Sequence, residues 1–492
     1  MTTHRATPLR HPDRFFIGGA WVEPSSSARI EVRDSTTEEV FLSVAEAQVE
    51  DVDRAVAAAR EAFDHGPWPR MTHAERASWL NKIADAWTSK ADAFADTWTR
   101  ESGVLHAVAK RAVLGPMQTF RFNAGLAETF AWQEPYVSQD GKRSFLVREP
   151  VGVVGAIIPW NAPSALVAHK CAPALIAGCT VVLKASPEAP SAPLLLAEIC
   201  EEIGLPAGVY NVITADREVS ERLVRNPGVD KITFTGSTAA GRRIASICGE
   251  RIARCTLELG GKSPAVILDD YDLDAAAESI AQTARFLTGQ VCSSLTRLIV
   301  NRKRHDDFVD ALASRFGKVR VGDPFETTTD MGPLAMERQR DRVESYIAKG
   351  KAEGARLATG GGRPKHLERG YFVEPTVFAG VDNQSTIARE EIFGPVLSVI
   401  PADSEEQAIE IANDTIYGLN ASVFTNDVDR AYAVSRRLRA GTVGHNSFKT
   451  DFSIAFGGFK QSGIGREGGT EGLHPFLEAK TVILDQAAQK GS

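Results

Sequence analysis

From Val151 onward, short β-branched runs alternate with helix-length segments, and few folds accept that pattern. Val151 to Ile158, Thr180 to Leu183, Val209 to Ile213 and Lys231 to Phe234 read as buried strands. Ala165 to Ala177, Ser191 to Ile203 and Val219 to Arg225 read as the helices between them. Such alternation gives right-handed βαβ units and a parallel sheet. Ligands of an open sheet of this kind bind beyond the carboxyl ends of its strands. Polar and glycine-rich positions fall at those ends: Trp160-Asn161, Lys184 and Gly236-Ser237.

A second alternating block starts near Pro264. Pro264 to Leu268, Thr296 to Val300, Val396 to Ile400 and Ala421 to Phe424 read as strands. Asp272 to Phe286, Arg304 to Lys318, Met336 to Glu353, Ser404 to Asn413 and Asp427 to Leu438 read as helices. The fold class is therefore α/β, with two open, mainly parallel domains in series. Glu258 lies near the crossing, in a glycine-rich turn, and Cys292 early in the second domain.

The flanking segments read as support. Residues 1–14 are polar, lack the apolar stretch of a signal peptide and read as a disordered start. Phe15 to Val22 is a hairpin turned at Gly18-Gly19. Val49 to Phe63 (capped by Asp51), Ala74 to Ser102 and Leu105 to Phe130 are scaffold helices, the last bending at Gly115-Pro116. Residues 136–150 form a hairpin at Asp140-Gly141. Thr481 to Leu484 is a final strand that needs an edge, on this chain or on another subunit.

Composition narrows the function. The 492 residues, 43% hydrophobic, accommodate two to four domains with large cores. A net charge of -7 argues against a nucleic-acid partner. The six cysteines form no C-x-x-C pair, so no metal site is expected, and their sparse spacing reads as reduced and cytoplasmic. No apolar run reaches the roughly 18 residues of a spanning helix, so no membrane partner is expected.

Three polar side chains carry chemistry together. Cys292 is a nucleophile in Gly289-Gln290-Val291-Cys292, Glu258 a general base, and Asn161 an oxyanion donor between Pro159 and Pro163. Taken singly, each would most often be an inert buried thiol, a cap or ion pair, and a turn residue. Thr233 to Gly241 is strand, glycine turn and helix start, which suits a phosphate or a plain βα turn. Lys184 suits a ribose hydroxyl or a solvated strand end.

At these residues the sequence resembles the aldehyde dehydrogenase superfamily over nearly its whole length. Seven collinear segments carry the resemblance: Pro159-Trp160-Asn161, the Lys184 strand end, Phe234-Thr235-Gly236-Ser237, Leu257 to Lys262, Gly289-Gln290-x-Cys292, Glu391-Ile392-Phe393-Gly394-Pro395 and Phe456 to Gly463. The resemblance implies a Rossmann-like cofactor domain over 1–131 and 151–262. It implies a catalytic thiol domain over 263–476 and an antiparallel oligomerisation arm over 132–150 and 477–492, hence a homodimer or homotetramer.

It further implies that Cys292, as thiolate, attacks a small-molecule aldehyde. Asn161 and the Cys292 N–H hold the oxyanion, hydride passes to a nicotinamide, and Glu258 activates water against the thioester. Lys170 and Glu467 match a proton relay. Ile158, Pro159, Trp160, Lys184, Gly236, Ser237, Leu259, Gln339, Glu391 and Phe393 match the cofactor site. Ala162, Ala165, Leu166, His169, Val291, Ser293 and Phe456 match the substrate pocket.

Three departures matter. Pro187 replaces a glutamate that favours NAD, with Glu188 beside it, so NAD is expected and NADP stays open. Ala455 replaces a proline. The pocket helix carries small residues instead of aromatics, which predicts room for bulky or long-chain aldehydes. The alternative is a CoA-acylating semialdehyde dehydrogenase, and the presence of Glu258 argues for hydrolysis instead.

Overall fold

The structure, a computed structural model, describes residues 9–487. Val153–Ile157, Thr180–Ala185, Tyr210–Thr214, Lys231–Thr235 and Arg254–Glu258 lie parallel in the first sheet. Their spatial order is Arg254–Glu258, Lys231–Thr235, Val153–Ile157, Thr180–Ala185, Tyr210–Thr214. The chain builds outward from Val153–Ile157 on one side, then returns to build the other. That reversal opens a crevice at the carboxyl ends of Val153–Ile157 and Lys231–Thr235, where an open sheet receives its ligand. The hairpin Phe15–Ile17 and Ala20–Val22 extends the Tyr210–Thr214 edge, turned by Gly18 and Gly19 at φ 64° and 82°.

Helices cover both faces, which is why the central strands read as unbroken apolar runs. Pro163–Ala177 and Ser191–Ile203 pack on one face, backed by His73–Ser89 and Gly115–Thr129. Val49–Asp64, Arg217–Arg225 and Thr238–Arg251 pack on the other.

Ser263–Ile267, Leu295–Asn301, Thr376–Ala379, Val396–Ala402, Asn420–Phe424 and Thr442–His445 form the parallel part of the second sheet. Arg356–Thr359 adds an antiparallel edge. The carboxyl end of Arg254–Glu258 passes through Leu259 to Lys262 straight into the amino end of Ser263–Ile267. The first sheet thus offers carboxyl ends to the site and the second offers amino ends.

Several sequence expectations are corrected. Glu258 ends a strand and is not part of the glycine turn; Arg254, Thr256 and Glu258 interrupt the apolar pattern that marks a strand. The strands Arg356–Thr359, Thr376–Ala379 and Thr442–His445 were too short or too polar to stand out. Asp51 is not the cap: Gln48 is, and Asp51 accepts the Gln48 N–H from the first turn at 2.9 Å. The helix expected over 74–102 breaks at Lys90, and Pro116 starts Gly115–Thr129 instead of bending a longer helix. Leu9 is buried and the Arg10 N–H donates to Glu198 at 2.7 Å, so residues 9–14 are packed against the body. The rest of the expected disordered start, 1–8, lies outside the described residues, as do 488–492.

Gln133–Val137, Lys142–Pro150 and Leu477–Ala487 make a third, antiparallel sheet. The final strand finds its edge on Lys142–Pro150 of its own chain. Among the described residues no helix is long and apolar enough to cross a membrane.

Ser462 ties the crossing together. Its hydroxyl donates to Gly260 O at 2.6 Å and accepts from Gly418 N–H at 2.9 Å. Its carbonyl accepts from Leu259 N–H at 2.9 Å. Ser462→Ala strands a buried donor and weakens an acceptor, at about 1–3 kcal/mol for each group left unsatisfied. The expected outcome is a lower urea midpoint with an unchanged far-UV CD spectrum and a reduced kcat; an unchanged midpoint and kcat would contradict this role.

Candidate active site

The thiol sits on a strained loop. Leu287, Thr288 and Gly289 adopt φ values of 48°, 54° and 73° in succession. Such a conformation is an outlier for β-branched Thr288 and persists only where its surroundings impose it. The Thr288 hydroxyl donates to Gly332 O at 3.0 Å. Gln290 Nε2 donates to Leu287 O at 3.0 Å, and its Oε1 accepts from Ala335 N–H at 2.9 Å. A Cβ at Gly289 would lie 2.4 Å from Gly394, so only glycine fits.

Cys292 emerges half-buried from this loop. Burial, then the charges of Glu391 and Glu258, push its thiol up to about 12. The attacking thiolate therefore forms only when the thiol gives up its proton.

Asn161 follows Val153–Ile157, and its Nδ2 donates to Gln290 O at 3.0 Å. One amide hydrogen thus anchors the thiol loop and the other remains for a ligand. The flanking backbone is held by Trp98 Nε1, donating to Asn161 O at 2.8 Å, and by the Ser102 hydroxyl, donating to Trp160 O at 2.7 Å. Trp98, Ser102 and Gln290 were missed as site supports. Ala91–Ser102 reads as an ordinary amphipathic helix, and nothing in its pattern points to Asn161.

Glu258 is buried, and neither carboxylate oxygen has a hydrogen-bond partner among the described residues. Burial, then the nearby Glu467 charge, raises its pKa well above the carboxylate range. Beside it lies a buried ion pair, Lys170 Nζ to Glu467 Oε1 at 2.6 Å. A Cβ at Gly457 would lie 2.7 Å from Glu258 Oε1, so the glycine leaves the carboxyl its space.

Ala162, Ala165, Leu166 and His169 are half-buried, whereas the other residues of Pro163–Ala177 are buried. Their spacing puts them on one helix face, which forms a wall open to a ligand. His169 stacks on Phe452 at 4.1 Å, and Phe452 on Phe456 at 4.4 Å. Burial lowers the His169 pKa to about 4, so the ring is neutral near pH 7. The pocket therefore does carry aromatics, supplied by the 452–456 segment; Phe452 was missed because no local pattern marks it. Val291 is half-buried and Ser293 buried.

Lys184 ends its strand, buried, and its Nζ has no hydrogen-bond partner among the described residues. Burial lowers its pKa to about 8, which keeps it charged near pH 7. Ile158 N–H donates to Lys184 O at 3.4 Å, and Pro159 and Trp160 follow half-buried. Gly236 N–H donates to Glu258 O at 3.0 Å, and Ser237 caps Thr238–Arg251 by accepting the Ala240 N–H.

Glu391 Oε1 accepts from Gly261 N–H at 3.0 Å, and burial raises its pKa to about 7. Phe393 has φ 62°, and its ring meets Trp160 edge-on at 5.5 Å. Gln339 Nε2 donates to Phe393 O at 2.7 Å, so it braces this backbone. Leu259 packs against Gly241. Glu188 is engaged by Arg338 and Ser186. A strand-end lysine, helix N-terminal amides, a half-buried carboxylate and an aromatic pair fit a dinucleotide.

A family profile described as the aldehyde dehydrogenase family matches residues 21–482. The chain is 45% identical over 470 residues to geranial dehydrogenase of Castellaniella defragrans, covering 95% of this chain and 98% of that one. A Mycobacterium tuberculosis aldehyde dehydrogenase solved with NAD+ superposes with a TM-score of 0.94 at 46% identity, over 97% of this chain and 99% of that one. A mutant of aldehyde dehydrogenase C from Pseudomonas syringae, solved with NAD+ and octanal, gives 0.94 at 38% identity, over 98% and 99%.

Thiol accessibility yields a test. Cys171, Cys179, Cys200 and Cys248 are buried, whereas Cys255 and Cys292 are partly exposed. A hydrogen bond from the Cys248 thiol holds Cys255 below the ordinary thiol value. Iodoacetamide is expected to label Cys255 first, Cys292 next and the four buried thiols last, with activity loss following Cys292 alone by peptide mass analysis. Activity loss that follows Cys255 would contradict the assignment.

Proposed function

Since the chain belongs to the aldehyde dehydrogenase family, an oxidoreductase family acting on aldehydes, we propose that it oxidises bulky apolar aldehydes to carboxylic acids with NAD through a Cys292 thioester. One observation carries the reading: Asn161 Nδ2 is bonded to Gln290 O, two residues from the Cys292 sulfur. An oxyanion donor and a nucleophile held on one rigid connection are what acyl chemistry requires.

In this reading Cys292 loses its proton to solvent, and the thiolate sulfur bonds to the aldehyde carbon. The new alkoxide is held by Asn161 and the Cys292 N–H. NAD, when bound, supplies the hydride acceptor. Loss of hydride leaves the acyl group on sulfur as a thioester. Water then gives a proton to Glu258, its oxygen bonds to the acyl carbon, and the carbon–sulfur bond breaks to free the acid and Cys292. Lys170 and Glu467 carry the proton onward. Burial makes Glu258 a stronger base than an ordinary carboxylate, which suits the hydrolytic step. Lys184, Gly236, Ser237 and Glu391 would hold the dinucleotide, with Phe393 and Trp160 along the nicotinamide end.

The wall of Ala162, Ala165, Leu166 and His169, faced by Phe452 and Phe456, supports a wide apolar pocket. Geranial and octanal, named for two of the similar proteins, are aldehydes of that kind. We read residues 9–131 with 151–262 as the cofactor part and 263–476 as the thiol part, although Gly463–Ile464 returns to pair with Leu257 and Glu258. We read the third sheet as an oligomerisation arm, because Tyr136, Val137 and Ile483 are exposed on its outer strands.

Two measurements test the proposal. Across a panel assayed with NAD and NADP separately, kcat/KM for decanal or geranial should exceed that for acetaldehyde by about tenfold or more, with NAD preferred. His169→Trp should narrow that ratio; acetaldehyde as the better substrate would overturn the pocket reading. Separately, Glu258→Gln should cut steady-state turnover by about 100-fold or more, with acid formed by the parent enzyme without CoA. Turnover that needs CoA would refute hydrolysis.

A further inference from the structure

The turn that closes Thr238–Arg251 brings two cysteines together. Ile252 takes φ 58°, and the helix ends in a Schellman closure: Ala253 N–H donates to Cys248 O at 2.9 Å and Ile252 N–H to Gly249 O at 3.2 Å. The chain then enters Arg254–Glu258, whose side chains alternate between two faces. Arg254, Thr256 and Glu258 point to one face. Cys255 and Leu257 point to the other, where Leu257 is buried among Ile244, Ile247 and Cys248 of the helix and Cys255 packs against that cluster. The Cys248 thiol donates a hydrogen bond to Cys255. Cys248 is 1% exposed, whereas Cys255 is half-buried. One reachable sulfur thus stands in front of one sealed sulfur.

No other cysteine among the described residues has this setting. Cys171 lies near Cys200, but both are buried, and the buried Cys179 Sγ is engaged by Phe476 O at 3.5 Å. Cys292 is half-buried, and the groups that act on its sulfur are carboxylates and backbone amides, with no second thiol. Reactivity toward peroxide follows thiolate character and access. The hydrogen bond from Cys248, helped by the Lys231 ammonium, holds Cys255 below the ordinary thiol value. Burial, then two carboxylates, holds Cys292 above it.

We propose that Cys255 and Cys248 form a peroxide-reactive dithiol that closes to an intramolecular disulfide while Cys292 stays reduced. The Cys255 thiolate attacks one oxygen of hydrogen peroxide. A sulfur–oxygen bond forms, the oxygen–oxygen bond breaks, and the departing hydroxide takes up a proton to become water. Cys255 is then a sulfenic acid. The Cys248 thiol attacks that sulfur, and its proton passes to the leaving hydroxyl. The sulfur–sulfur bond forms, the sulfur–oxygen bond breaks, and a second water departs. Peroxide has gained two electrons and the two thiols have lost them. Thiols already in hydrogen-bond contact need only close to a bond of about 2 Å. Both stand at element ends, beside the turn residue Ile252, which is 78% exposed. A dithiol reductant reverses the closure. The inference does not depend on the acyl chemistry proposed for Cys292.

The test treats the full chain with one equivalent of hydrogen peroxide, blocks the remaining thiols with iodoacetamide in denaturant and maps tryptic peptides without reductant. Cleavage after Arg243, Arg251, Arg254 and Lys262 puts Cys248 and Cys255 on separate peptides, 244–251 and 255–262. These should emerge joined from most chains and separate on addition of dithiothreitol, with the Cys292 peptide carrying the iodoacetamide label. Cys248→Ser should instead leave a sulfenic acid on Cys255 that dimedone captures, and Cys255→Ser should leave Cys248 unoxidised. Oxidation of Cys292 ahead of Cys255 would overturn the proposal. So would sulfinic acid on Cys255 of the parent enzyme without joined peptides. If either variant fails to fold, the parent map decides alone.

Discussion

The bond from the Asn161 amide to the Gln290 carbonyl joins two halves that the chain builds separately. Asn161 stands where the first sheet presents a carboxyl end, and Gln290 stands just ahead of a second-sheet strand. Neither sheet alone contains a site. The first has a base, an amide and a dinucleotide crevice without a nucleophile. The second has a thiol without an oxyanion donor. The short segment from Leu259 to Lys262, clamped by Ser462, fixes the distance between them. The left-handed run through Leu287, Thr288 and Gly289 fixes the direction of the sulfur. Strain of that kind is tolerable because Gly332, Ala335 and the Gln290 side chain leave the loop no alternative.

Burial is the second theme. Glu258 is buried and Cys292 half-buried, so each ionisable group is governed largely by its few neighbours. Burial pushes the Cys292 thiol and the Glu258 carboxyl upward, and it pulls Lys231 and Lys184 downward. A thiol that is neutral at rest is protected from adventitious oxidation and becomes a nucleophile only when it gives up its proton. Lys170 and Arg466 are the cations that offset the burial of Glu258.

Much of this was legible in residue order. The βαβ alternation implied a parallel first sheet, and the strand-end rule pointed to Asn161, Lys184 and Gly236. Elements that failed to announce themselves share a physical cause. Arg254–Glu258 carries its polar residues toward a buried polar face, so the apolar pattern that marks a core strand is absent. Trp98, Ser102 and Phe452 act through contacts across long stretches of sequence, which no local periodicity encodes. The pocket aromatics illustrate the same limit, since the helix opposite them looked bare and the rings arrive from another segment. His169 was readable as a pocket residue by its helix spacing, but its stacking partner was not. The final strand, expected to need an edge, found one on its own chain.

The central claim is that sulfur on Cys292 carries the acyl group while Glu258 admits water to it. The direct measurement is intact-mass analysis of Glu258→Gln quenched after one turnover with a long-chain aldehyde and NAD. The account predicts one acyl adduct per chain, mapped to the Cys292 peptide and absent in Cys292→Ala. Release of NADH without any adduct on that peptide would contradict it.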